Sequence, residues 1–95
     1  MNPIKIISDK TLRRKPPIGR FSYEFLQINP ITKEEKWIKG GLTGATYLKT
    51  VLSSYVKNFI NFKFKAVRNA VITVPYGYKD KVEKRIREMG EEKEK

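Results

Sequence analysis

The chain of 95 residues carries 21 Lys plus Arg against 10 Asp plus Glu, a formal charge of +11, and a pI near 10.0. It has no Cys and no His, so a disulfide framework, a thiolate nucleophile, Cys-ligated zinc and the commonest general base are all excluded, and a non-enzyme is the expected class. One domain is expected, burying roughly 65% of its unfolded surface, and without 18 uninterrupted apolar residues no signal peptide or membrane span is expected.

Ile4-Lys5-Ile6-Ile7 can form an edge strand. Lys10, Arg13, Arg14, Lys15 and Arg20 follow as a basic tract, which Pro16-Pro17 and Gly19 keep from being a regular helix. Residues 1–20 therefore read as a basic N-terminal arm, mobile or extended. It either lies along phosphates or is a surface linker whose charge keeps it soluble.

Residues 21–90 read as a single α/β domain of the α+β kind. Phe21 to Ile28 alternates with the period of a strand, with Phe21, Tyr23 and Phe25 on one side. Asn29-Pro30 opens a turn, and Lys36-Trp37-Ile38-Lys39 returns as the antiparallel partner. The aromatic row reads as the core face of this hairpin, with a stacking platform for single-stranded bases as the functional alternative. Lys39-Gly40-Gly41-Leu42-Thr43-Gly44 lacks the spacing of a phosphate-binding loop and reads as a turn followed by an N-cap at Thr43.

Ala45, Leu48, Leu52, Tyr55 and Phe59, widened by Val51, Val56 and Ile60, mark an amphipathic helix. Phe62-Lys63-Phe64-Lys65 alternates and leads into the buried strand Ala70-Val71-Ile72-Thr73-Val74-Pro75. Asp80 caps a last helix whose Val82, Ile86 and Met89 face inward and which ends at Gly90. Residues 91–95 form a frayed charged tail. Asp80 and Glu83 are two carboxylates without further partners, too few for a metal site, and no cofactor or small-molecule substrate is indicated.

From Lys36 to Lys79 there are eight basic residues and no acid. Such asymmetry points to a polyanionic partner, against the plainer reading of a solvated surface. The contacts expected for nucleic acid, DNA or RNA, are Arg13, Arg14, Lys15, Arg20, Lys63, Lys65 and Arg68, mainly on phosphates. The rival is a protein-interaction or self-association module using a sheet edge or aromatic patch, a homodimer in the second case.

The segment Asn69-Ala70-Val71-Ile72-Thr73-Val74-Pro75-Tyr76-Gly77-Tyr78-Lys79-Asp80, followed by a helix, resembles part of the nucleotide-binding domain of DnaK-type chaperones. The resemblance implies a related order of hairpin, helix, strand and helix. The glycine-rich phosphate loops of that family have no counterpart here, so no ATP site is carried over, and an isolated chaperone-like or actin-like subdomain without an ATP site is the third reading. The Lys/Glu/Ile-rich, cysteine-free composition resembles small proteins of hyperthermophilic archaea and their viruses. The expected location is the cytoplasm, of the host if the protein is viral.

Overall fold

Strand-period alternation in three segments, and a short apolar run ahead of them, build one four-stranded sheet in this computed structural model, which describes residues 4–44, 46–62 and 64–94, the last four by their backbone alone. The strands are β1 (Lys5–Asp9), β2 (Arg20–Ile28), β3 (Glu35–Leu42) and β4 (Val67–Pro75), in the spatial order β1-β4-β2-β3. β1 runs parallel to β4; the other two pairings are antiparallel. Both helices lie on one face. α1 covers 48–61, and α2 is Lys79–Glu94. The thinnest Cα dimension, 17 Å, fits one sheet and one helical layer.

The core sits between these layers. Phe21, Ala70, Ile72 and Val74 come from the sheet, Leu48, Val51, Val56 and Phe59 from α1, and Val82, Ile86 and Met89 from α2. The inward residues of α2 are those its spacing predicts, but the helix runs through Gly90 to Glu94. Glycine lowers helix propensity by only about 1 kcal/mol, too little to stop a helix that has good formers on both sides.

α1 departs further from expectation. It begins at Leu48, not after Thr43, and its first donor, the Leu48 N–H, is taken by the Pro17 carbonyl at 2.6 Å. A neighbouring loop thus does the work of a side-chain cap. Leu48–Thr50 and Lys57–Asn61 are α-helical, and Val51–Val56 between them is π-helical. The fully buried pair Val51 and Val56 lies five residues apart, the π step, and Tyr55 is left 38% exposed. Ala45, the proposed start of the stripe, lies outside the described residues.

Gly40 and Gly41 belong to β3, not to a turn. The Tyr23 ring lies over Gly40, so that a Cβ there would sit 2.6 Å from the Tyr23 hydroxyl. Gly41 has φ +146, and a Cβ would meet the Phe21 carbonyl oxygen at 2.2 Å. In the β2–β3 connection the Asn29 side-chain carbonyl accepts the N–H groups of Ile31 and Thr32, as the turn chemistry predicts. Of the alternation at 62–65 the described residues, Phe62, Phe64 and Lys65, are not in a strand, and β4 starts at Val67.

The expected edge strand forms at Lys5–Asp9, and the basic tract after it is a loop held against the domain and not an extended arm. β1 is an edge strand of the sheet, in register with β4 from Lys5↔Val71 to Asp9↔Pro75. The following loop, with a cis Lys15–Pro16 peptide, is fastened at several points. Leu12 is buried, the Ile18 N–H donates to the Arg13 carbonyl, and the Tyr78 hydroxyl donates to the Arg14 carbonyl. Asp9 accepts both the hydroxyl and the N–H of Thr11. The domain therefore takes in the chain from β1 onward.

Candidate nucleic-acid interface

Side chains alternate along a strand and cross-strand partners share a face, so the register decides what the helix-free side of the sheet displays. The first row is Ile7, Thr73 and Arg20; the second is Lys5, Val71, Ser22 and Gly41. Asn69, Glu24 and Lys39 make the third. In the fourth, Leu26 pairs with Trp37, beside a β-bulge that inserts Arg68 between Val67 and Asn69. The bulge re-aims Arg68 so that its guanidinium lies 3.8 Å from the centre of the Trp37 ring. Each of four successive rows, about 7 Å apart, thus carries one cation: Arg20, Lys5, Lys39 and Arg68.

The electrostatics of this face are uneven. Arg68 pairs with Glu24 at 3.5 Å, and Lys65 pairs with Glu35 beyond the last row. Lys5, Arg20 and Lys39 are exposed and form no salt bridge among the described residues. Asp9 stands next to the first row. The Thr11 hydroxyl, then the Thr11 N–H, hold its carboxyl below the ordinary value of 3.8; partial burial opposes them, and the Arg20 charge adds a smaller downward pull.

The residues expected from sequence do not form one cluster. Arg13, Arg14 and Lys15 are exposed on the fastened loop at the Asp9–Pro75 end, with Arg20 close by at the start of β2. Lys65 and Arg68 lie at the other end of β4, about 27 Å away by strand rise. Lys63 lies outside the described residues. Between the two groups the structure supplies Lys5 and Lys39, and beside Arg68 it supplies Trp37, none of which sequence reasoning singled out. Trp37 and Lys39 share parity, a legible signal; that Lys5 joins them follows only from the parallel pairing of β1 with β4.

The aromatic row turns to the helical side. Phe21 is buried and meets Phe59 edge-on at 5.3 Å, as the core reading predicts. Tyr23 and Phe25 are half-buried and continue into the wall of a groove of about 690 Å³ between the end of β2, α1 and Phe62, Phe64 and Lys65. No group of three or more carboxylates that could hold a metal occurs among the described residues, and no helix there is long and apolar enough to cross a membrane. Comparison of the chain with protein-family models, with curated proteins and with solved structures finds no significant match.

Proposed function

We propose that the chain binds single-stranded DNA or RNA along the helix-free face of its sheet, mainly through phosphates and without catalysis. The observation that carries this reading is the ladder of Arg20, Lys5, Lys39 and Arg68, one cation in each of four successive rows. A sheet face that no helix covers suits an extended strand better than a duplex groove, and Trp37, 36% exposed beside Arg68, offers a ring on which a base can stack. Arg13, Arg14 and Lys15 extend the positive surface past the first row, where a longer strand would meet them.

The test is a fluorescence-anisotropy titration of labelled single-stranded oligonucleotides over a range of salt. Neutralising phosphates on a single strand lowers log K by about 0.7 per contact per unit of log salt, so four contacts give a slope of about −3. Binding that ignores salt, or no binding at low salt, contradicts the reading.

A second reading has its own observation: β3 is an exposed edge strand of eight residues, open to pairing with another chain. A +11 chain repels its copy, which opposes a homodimer unless an anion lies between the two. Sedimentation at several concentrations separates the two readings, since a concentration-dependent dimer without affinity for oligonucleotides favours the edge.

A further inference from the structure

The groove on the helical side does not belong to the ladder of cations, and its chemistry is different. Its walls carry rings that a folding chain ordinarily buries: Phe62 is 64% exposed and Tyr55 38% exposed. Phe64 forms the floor, tilted 4.0 Å from Phe25 between ring centres and 5.1 Å from Phe59. The π-helical stretch of α1 turns Tyr55 outward and brings Ser54 to the same groove. Such π turns are frequent at functional sites.

Polar groups stand among these rings. Gln27, Ser54 and Asn58 line the groove, and their side chains make no hydrogen bond among the described residues. The two amides each offer a donor and an acceptor, the complement of a base edge. Among the described residues no carboxylate lines the groove. Lys65 does, with its charge shared with Glu35, and Lys36, which forms no salt bridge among the described residues, stands opposite Gln27 across β2 and β3. The charge complement is therefore an anionic chain with flat, hydrogen-bonding side groups. Lys65 also joins the two regions, because its ammonium binds Glu35, which has the parity of Trp37 and Lys39 on the helix-free face.

We infer that this groove takes one unpaired nucleobase of the bound strand, between Phe62 and Tyr55, with its edge hydrogen-bonded by Gln27 and Asn58. The inference rests on the nucleic-acid reading above and adds to it a base-binding site on the opposite side of the sheet. A volume of about 690 Å³ lies within the ordinary range of ligand pockets, about 300–1,000 Å³, and leaves room for a purine or a pyrimidine.

The test compares two oligonucleotides of equal length and phosphate count, one of thymidines and one of abasic residues. The wild-type protein is expected to prefer the base-bearing strand by about tenfold. Phe62→Ala is expected to lower that ratio several-fold, to the part that stacking on Trp37 contributes, while leaving the salt slope and the melting temperature unchanged, since the ring is mostly in water. Trp37→Ala removes stacking on the other face and is expected to lower the preference only in part, leaving a remainder that Phe62→Ala abolishes when the two are combined. Equal affinity of the wild type for both strands overturns the groove inference and leaves phosphate binding standing. A preference lost in Trp37→Ala but kept in Phe62→Ala overturns it as well. Failure of both strands to bind overturns the phosphate reading, and the groove inference with it.

Discussion

The two faces of the sheet are built from the same strands and differ in everything else. On β4, Ala70, Ile72 and Val74 point into a dry core, and the neighbours between them, Val71 and Thr73, face the side no helix covers. On β2 the buried Phe21 alternates with the exposed Arg20 and Ser22. A period of two lets one strand serve packing and binding at once, and a shift of register by one residue would exchange the roles. The fold thus resides on one face, and the proposed function on the other.

The widest break between the faces is expected from adjacent residues of β4. Ile72→Ala should cost about 2–5 kcal/mol, measured by denaturant unfolding, because it empties a fully buried site. Thr73→Ala, one residue on, should move stability by less than about 1 kcal/mol. Next in size is the combined variant Lys5→Glu, Arg20→Glu and Lys39→Glu. It should lower oligonucleotide affinity on the order of a hundredfold at moderate salt and leave the unfolding midpoint nearly unchanged. Gly41→Ala should cost about 2 kcal/mol, since it strains a positive φ and drives a methyl group at the Phe21 carbonyl.

Smaller effects sharpen the same comparison at the sheet's end. Tyr78→Phe removes the bond to the Arg14 carbonyl and should cost about 1 kcal/mol, with faster amide exchange in the loop at 10–19. Asp9→Asn tests the Thr11 contacts through pH. The folded carboxyl titrates below 3.8, so its stabilisation is fully present above that value and is lost as pH falls through the folded pKa. The melting temperatures of wild type and variant should therefore differ above about pH 4 and converge in stronger acid.

Much of the helical side was legible in the chain. Val82, Ile86 and Met89 follow helical spacing, and Phe21 follows strand spacing, because each signal is local. What escaped needed partners distant in sequence. The start of α1 depends on the Pro17 carbonyl, and the strand conformation of Gly40-Gly41 depends on their pairing with Tyr23 and Ser22 of β2. The basic loop looked free because its anchors, the Tyr78 hydroxyl and the buried Leu12, lie outside its own charge pattern. The candidate site was legible only in part for the same reason: Arg20 and Arg68 stand out by charge, whereas the placement of Lys5 and Lys39 on the same face is a property of the register. The bulge that brings Arg68 onto Trp37 leaves no mark in composition.

Trp37 is the single tryptophan of the chain and stands on the proposed binding face, so it reports on the central claim without a label. The most direct measurement is its emission during titration with a single-stranded oligonucleotide, at low salt and again after salt is raised. The account predicts a saturable change in Trp37 emission, with an affinity equal to that from anisotropy, which reverses as salt displaces the strand. Binding seen by anisotropy with Trp37 emission unchanged would place the strand elsewhere on the protein and contradict the account.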